Sequence, residues 1–388
     1  MAGRWVESHR LVSGSTGSTV TPSAPIRDER SKIVLSYDYM SSVNVGSIAL
    51  CDFVARMLEQ LHVPGDDARL VADSLVWADL RGMPSHGVMR MPTYVGRIQS
   101  GEVEPRPDLT VDRRRSALAV VHGGRATGQV AFDRAATVAV EMARDAGISW
   151  VAIVESAHAG AIGYFSQRIA REGMAAIVVA ASRPTMAYYG ARSAGVSTSP
   201  IAMAVPASDG RVLGVDMATA AVSRGRIKLH RLTGEALAEG WAVDQHGRPT
   251  VDPERASIPQ PLGGSKGSGM SLLFECLANV MGGSPVIQPS LTGTLNRHVQ
   301  GGFVCAIDIE AFRDLGAFTG DVGALADAIK SLPPAEGVDE VLLPGERGDR
   351  RAREQQRSGV LLREATWAEL TELAHELNVR VPASKEVT

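Results

Sequence analysis

The chain has 388 residues, with 40 Lys plus Arg against 43 Asp plus Glu, a formal net charge of -3, 44% hydrophobic and 21% charged residues. That length predicts about two domains and a large core, and that composition excludes a disordered chain. Without a basic surplus to neutralise phosphates, neither nucleic acid nor an anionic membrane is an expected partner.

Residues 1–45 are rich in Ser, Thr, Gly and Pro and read as a mobile arm. Their start lacks the apolar block of a signal peptide. From Ser47, Leu50, Phe53, Val54, Met57, Leu58 and Leu61 recur at helical spacing until Pro64-Gly65 stops the run. A second helix starts near Asp66 or Asp67, either a good N-cap, and a third runs from about Val88 to Ser100. From Ser116 short apolar runs alternate with amphipathic segments, as when helices cover a sheet. Strands are expected at Ala117–Val121, Ser149–Val154, Met174–Ala181, Ile201–Val205, Val212–Asp216, Gly302–Ile307 and Glu340–Leu343. Helices are expected at Gln129–Asp145, Ala161–Glu172, Gly267–Val280, Val322–Ser331 and Thr366–Leu377, the last opening with the capping-box spacing Thr366 to Glu369. Gly345–Arg357 reads as a charged connector. The expected division is the arm, a helical domain from residues 46–115 on which the final helix within 350–380 packs, and a sheet-containing domain over 116–349.

The longest apolar stretch, Met174–Ala181, is far short of the roughly 20 residues that span a bilayer, so no membrane helix is expected. Three cysteines, Cys51, Cys276 and Cys305, have no short spacing, which argues against disulfides or a zinc site and for a reducing cytoplasm. No H-E-x-x-H and no clustered carboxylates appear, so no catalytic metal is expected.

Four motifs bear on chemistry. His122-Gly123-Gly124-Arg125-Ala126-Thr127-Gly128 follows a strand and precedes a helix, but Gln129-Val130 stands where a phosphate loop needs Lys-Ser/Thr, and Arg125 occupies the middle glycine of G-x-G-x-x-G. A standard Rossmann fingerprint is therefore absent. Gly263-Gly264-Ser265-Lys266-Gly267 fits a nucleophile elbow, yet Pro259 and Pro261 upstream rule out the central strand an elbow needs. What remains is a glycine loop carrying Lys266 into a helix N-terminus, which suits a phosphate or carboxylate. His86, Arg90 and Tyr94, with Ser85 before them, fall at i, i+4, i+8 spacing. They form either a row for a small oxo or hydroxy acid, the guanidinium holding its carboxylate and the imidazole giving a proton, or a solvated helix face with a capping serine. His158 follows an apolar strand, where it is either catalytic or a structural loop histidine.

Together these segments resemble the malate/L-lactate/ureidoglycolate dehydrogenase family of non-Rossmann nicotinamide oxidoreductases, over roughly residues 47–380. The landmarks are Asp79-Leu80-Arg81-Gly82, Ser85-His86-Gly87 with Arg90, Gly128-Gln129-Val130, Ser156 with His158 and Gly160, and Ser199-Pro200-Ile201-Ala202. They continue with Asp216-Met217-Ala218-Thr219, Arg224-Gly225, Glu239-Gly240-Trp241-Ala242, Gly263-Gly264 with Lys266-Gly267, and Pro344-Gly345-Glu346-Arg347. The resemblance implies an α/β fold of the L-sulfolactate dehydrogenase-like type, with a mixed sheet and a small helical domain built from both chain ends, usually a homodimer. It implies NAD or NADP as cofactor and a small-molecule carboxylate as substrate. His86 and His158 are then the acid/base pair, and Ser85, Arg90 and Tyr94 bind substrate. Ser182, Ser199, Pro200, Asp216, Met217, Ala218, Thr219, Lys266, Gly345, Glu346 and Arg347 line the cofactor.

The chain departs from the family pattern at His122, Pro84, Glu155, Ala159, Ser265 and Ser268. The last three are smaller than the usual residues and are expected to leave room for a larger substrate, while Glu155 could pair with an imidazole and raise its pKa. The expected reaction interconverts a 2-oxo acid and a 2-hydroxy acid by hydride transfer with a histidine proton donor. Its alternatives are reduction of a cyclic imino acid of the Δ1-piperideine-2-carboxylate type, cofactor binding without catalysis and, remotely, serine hydrolysis at Ser265.

Overall fold

The computed structural model describes residues 42–295 and 299–387. Residues 1–41 of the arm lie outside the described residues, while Ser42–Val45 form strand β1. Helices α1 (Ser47–Gln60), α2 (Gly65–Leu80) and α3 (Met91–Gln99) follow, then β2 (Thr110–Arg115), β3 (Leu118–His122), α4 (Gly128–Ala146), β4 (Ile148–Ser156), α5 (Gly163–Arg171) and β5 (Met174–Ser182). Next come β6 (Ile201–Pro206), β7 (Val212–Met217), α6 (Arg224–Thr233), α7 (Ser265–Glu275), the short α8 (Ile287–Leu291) and β8 (Gln300–Asp308). The chain closes with α9 (Leu315–Lys330), α10 (Glu346–Ser358), β9 (Val360–Arg363), α11 (Glu364–Glu376) and β10 (Ser384–Val387).

The main sheet has seven strands in the order β2-β3-β4-β8-β5-β6-β7. Only β3 and β4 are parallel, joined by the α4 crossover, so the sheet is mixed as expected. β4, β5 and β8 are nearly continuous apolar runs because both faces are covered. On one face Val151, Ile153, Val178 and Val304 pack with Phe132 of α4 and Phe165 of α5. On the other, Val179 and Phe303 pack with Ala278 beyond α7, and Trp150 stacks on Phe303 with ring centroids 3.9 Å apart.

A second, three-stranded sheet, β9-β1-β10, binds the two ends of the described chain together. Beside it α10 packs against α2 and α11 against α3.

Several elements differ from the sequence expectation, each for a physical reason. Glu340–Leu343 is irregular: Glu340 is taken up in ion pairs with Lys330 and Arg350, and the Leu343 amide donates to Glu346. The expected connector Gly345–Arg357 is helix α10. It docks through polar contacts that a search for hydrophobic periodicity passes over, such as Arg81 to Asp349 at 2.8 Å and buried Gln355 donating to the Asp79 and Leu80 carbonyls. Thr366 and Glu369 do not cap α11, whose N-cap is Arg363. Residues 84–99 do not form one helix either: two 3-10 turns, Pro84–His86 and Val88–Arg90, precede α3.

The turn between those 3-10 segments is built on a close approach. Asp79 of α2 is buried and its carboxylate accepts from Val88 N at 2.7 Å, while a Cβ at Gly87 would lie 2.0 Å from the same carboxylate. Gly87→Ala is therefore expected to destabilise the fold by roughly 2 kcal/mol through forced displacement in a packed interior. Gly96→Ala, in a helix with open space at that point, should be neutral or stabilising by up to about 1 kcal/mol. Thermal unfolding of the two variants checks the contrast.

Candidate active site

Strands β3 and β4 end side by side, and the chain leaving each of them builds the site. After β3 the turn Gly123–Thr127 hydrogen-bonds across to the end of β4, with Gly123 N on Val154 O and Arg125 N on Glu155 O. No motif-like phosphate loop results; the segment is a strand-to-helix turn. Gly128 N then donates to His158 O at 3.2 Å, and a Cβ at Gly128 would sit 2.4 Å from Ala157 O. Only glycine lets α4 start this close to the loop that carries His158. The loop is clamped from β8, whose Gln300 O accepts from Ser156 Oγ at 2.8 Å and whose Oε1 accepts from Ala159 N at 3.1 Å.

The two histidines meet. Their rings lie 5.8 Å apart and 21° from parallel, though they are 72 positions apart in the chain (158 − 86). His86 Nδ1 is 3.0 Å from Ser85 Oγ, and Arg90 turns back to donate its Nε to Ser85 O at 2.6 Å. That bond leaves the two terminal nitrogens of Arg90 for another ligand. Burial, reinforced by the Arg90 charge, pushes the His86 imidazole down to about 4 and so keeps it neutral at physiological pH. Tyr94 of α3 places its hydroxyl 2.8 Å from His158 Nδ1 and accepts from Gln129 Nε2 at 2.9 Å. Burial pushes the Tyr94 phenol up to about 12. Beneath the cluster, burial pushes the Asp79 carboxyl up to about 8 against the Val88 hydrogen bond that lowers it. In the sequence reading Asp79 and Gln129 stand only within the landmarks Asp79-Leu80-Arg81-Gly82 and Gly128-Gln129-Val130, with no site role of their own.

A second group of expected residues surrounds the start of α7. Ser182 Oγ is 2.9 Å from Ser197 Oγ, which also accepts from Ser199 N, while Ser271 Oγ donates to Ser197 O at 2.7 Å and Ser199 Oγ at 3.2 Å. Pro200 O accepts from Ala180 N. Thr219 is 1% exposed with its hydroxyl unpartnered, and its carbonyl lies where a Cβ at Gly267 would be, 2.6 Å away. Lys266, exposed at the first turn of α7, makes no side-chain hydrogen bond or ion pair among the described residues.

Asp216, at the end of β7, accepts from Gly163 N at 2.8 Å and so satisfies the first turn of α5, and burial pushes its carboxyl up to about 6. Met217 closes β7 opposite Ile201, and Ala218 packs against the cluster of Met186, Val196 and Ile287. Gly345 caps α10 with φ 83°, and a Cβ there would lie 2.9 Å from Gly214 O of β7. Burial pushes the Glu346 carboxyl up, but hydrogen bonds from Leu343 N, Lys330 and Arg350 outweigh it and leave it at about 2. Arg347 is exposed in the first turn of α10. The unpartnered Thr219 hydroxyl, the Lys266 ammonium and the glycine-opened start of α7 offer the donor chemistry that suits an anionic phosphate.

The expected extra room is not found at all three small residues. Ala159 and Ser268 are buried, the first within the core and the second with its hydroxyl on the Gly264 and Ser265 carbonyls. Ser265 alone is exposed, beside Gly264, over which the Tyr189 ring lies.

Because His86 is held neutral in the fold but titrates near its ordinary value in the unfolded chain, it draws stability from staying uncharged. That stability is present above the unfolded pKa of about 6.5 and is lost as pH falls through about 4. Unfolding temperatures measured at steps from pH 7 to 4 should drop further for the native protein than for His86→Gln, the gap opening below pH 6.5.

The malate/L-lactate dehydrogenase family profile matches residues 47–371. Malate dehydrogenase of Pyrococcus abyssi is 33% identical over 357 residues, covering 87% of this chain and 96% of that protein. L-sulfolactate dehydrogenase of Methanocaldococcus jannaschii is 33% identical over 330 residues, covering 84% and 94% of the two chains. The crystal structure of malate dehydrogenase from Entamoeba histolytica superposes with a TM-score of 0.82 at 26% identity, over 88% of this chain and 100% of that one. With a profile match spanning most of its length, and with a mixed sheet that brings the two histidines and Arg90 together, the chain belongs to the malate/L-lactate dehydrogenase family.

Proposed function

We propose that the protein interconverts a 2-oxo acid and the corresponding 2-hydroxy acid with NAD or NADP, His158 being the proton-transfer residue and Arg90 the carboxylate ligand. The observation that carries this reading is the pairing of the imidazoles. The two half-buried rings lie 5.8 Å apart, and His86 is driven down to about 4 and stays neutral. His158, the ring across from it, is the one read as the proton-transfer residue.

The bound nicotinamide supplies the hydride acceptor or donor. The chain's own residues position the other partner. Arg90, with Nε committed to Ser85 O, offers Nη1 and Nη2 as a fork for a carboxylate. His86, its Nδ1 held by Ser85, contributes a neutral imidazole beside the reacting oxygen, and His158 gives that oxygen a proton in the reductive direction. Holding carboxylate, oxygen and carbon at three fixed points makes the encounter a near-attack one. Thr219, Lys266 and the Ser182–Ser197 pair would hold the cofactor.

The reading also includes a homodimer and a cytoplasmic setting. Along α7 and its continuation Met270, Leu272, Leu273, Leu277, Val280 and Met281 are exposed, an apolar strip of the kind a partner subunit covers. Cys51, Cys276 and Cys305 are all free thiols, as suits a reducing compartment. No helix of the described residues is long and apolar enough to cross a membrane.

The test is NADH and NADPH oxidation against a panel of 2-oxo acids and cyclic imino acids. His158→Gln should lower kcat by about 10²- to 10⁴-fold with KM little changed. Arg90→Ala should raise KM and lower kcat together, with kcat/KM down roughly a hundredfold or more. An unchanged kcat/KM would remove Arg90 from the site, and turnover of imino acids alone would move the chemistry to C=N.

A further inference from the structure

Two side chains of the site, His86 and Arg90, are carried by consecutive 3-10 turns of three residues each. Turns that short close few hydrogen bonds of their own, so a precise position needs an anchor from outside. Asp79, near the end of α2, is that anchor. Val88 opens the second turn, and its amide is one that a helix start leaves without an internal partner. It donates instead to Asp79 Oδ2 at 2.7 Å, beneath a Val88 side chain that is 0% exposed. The same carboxyl fills the space where a side chain on Gly87, the joint between the turns, would stand. Asp79 is itself held from behind, since Gln355 of α10 donates to its carbonyl and to that of Leu80.

Among the described residues no ammonium or guanidinium hydrogen-bonds that carboxyl. Arg81, two positions on, pairs with Asp349, and Arg90 commits its Nε to Ser85 O. His86 turns Nδ1 to Ser85 Oγ, and from α10 Arg351 lies against Gly82. Burial pushes the carboxyl up to about 8, so near neutral pH an uncharged acid holds the Val88 amide. Asparagine is the isostere of that form.

We propose that Asp79 is a positioning residue for the reaction: as acceptor for the Val88 amide it sets the joint between the two turns, and so places the His86 imidazole and the Arg90 fork relative to His158. This rests on the reading of His86 and Arg90 as groups that face the substrate. Asp79 touches neither substrate nor cofactor in this scheme. With the acceptor gone, the Val88 amide is buried without a partner, and the joint shifts to find one. The guanidinium and the imidazole then move together, because both are within two residues of Val88. The cofactor-lining groups Thr219, Lys266 and Ser182 belong to other segments and stay where they are.

The experiment compares Asp79→Leu, close in shape but without an acceptor, with Asp79→Asn and Arg90→Ala in the full chain. Three quantities are measured well below the unfolding temperatures: steady-state kinetics on the 2-oxo acid, NADH affinity by fluorescence titration, and hydrogen exchange of the peptide spanning residues 84–91. Asp79→Leu should keep the NADH Kd within about threefold, exchange that peptide at least about tenfold faster, and lose about 30- to 100-fold in kcat/KM. Asp79→Asn should restore slow exchange and bring kcat/KM back to within about threefold of wild type. A residue that only supports the fold would lower the unfolding temperature and leave kcat/KM per NADH-binding molecule unchanged. Asp79→Ala replaces Asp79→Leu if the larger side chain does not fold. Wild-type kcat/KM in Asp79→Leu beside an impaired Arg90→Ala overturns the proposal, and so does an Asp79→Asn variant that loses as much as Asp79→Leu. If Arg90→Ala is itself fully active, the reading of the substrate site is what fails and the proposal falls with it. The exchange of residues 84–91 tells these failures apart, because it reports the hold of Asp79 on the turn without any turnover.

Discussion

Strand β8 is hydrogen-bonded along both edges, to β4 and to β5, and it lies there only because Gly302 has no side chain. A Cβ at that residue would be 2.3 Å from Val179 O and 2.4 Å from the Phe132 ring of α4. The close approach seats α4 on the sheet. It also brings Gln300, at the first position of β8, to the loop after β4, where it takes the Ser156 hydroxyl and the Ala159 amide. A segment from the last quarter of the chain thereby sets the backbone that presents His158. Position at the site is inherited from burial of a central strand, the part of a fold that opens last.

The polar layer beneath the site obeys a different constraint. Asp79, Gln129 and Gln355 are all more than nine-tenths buried; the Asp79 carboxylate accepts from Val88 N, Gln129 Nε2 donates to Tyr94, and Gln355 donates to the Asp79 and Leu80 carbonyls. Such contacts add little net stability each, but leaving one unmade is expensive, so they select a single arrangement. The result is a pair of imidazoles whose environments differ: His86 is enclosed with a guanidinium beside it, whereas His158 is backed by a phenol and a peptide amide. Two chemically identical side chains acquire separate roles from their surroundings alone.

Joining the ends of the described chain has a related consequence. β1, β9 and β10 form one sheet, and α10 touches both α2, through Arg81 and Asp349, and β7, through Gly345 and Gly214. The helix that carries Glu346 and Arg347 is in this way tied to the helix that leads into Ser85 and His86. The acidic Glu346 of α10 also pairs with Lys330 at the end of α9 and with Arg350 of its own helix.

Local information was sufficient wherever burial imposes a period or a run. The continuous apolar strands β4, β5 and β8, the amphipathic helices α1, α4 and α5, and the absence of a phosphate-loop motif are all legible in the residue order. The individual candidates came from position: His86, Arg90 and Tyr94 from their four-residue spacing, and His158 from its place after an apolar strand. Helix α10 was not legible, because it docks by charge and hydrogen bonds, which leave no hydrophobic period. Nor was the identity of Tyr94's partners: Tyr94 on α3 lies 2.9 Å from Gln129 Nε2 and 2.8 Å from His158 Nδ1, residues 35 and 64 positions further along the chain. Sequence by itself determined which groups are present and which segments are buried. Tertiary structure decided which of them share a hydrogen bond, because contact between distant segments depends on strand order and close glycine approaches rather than on local periodicity.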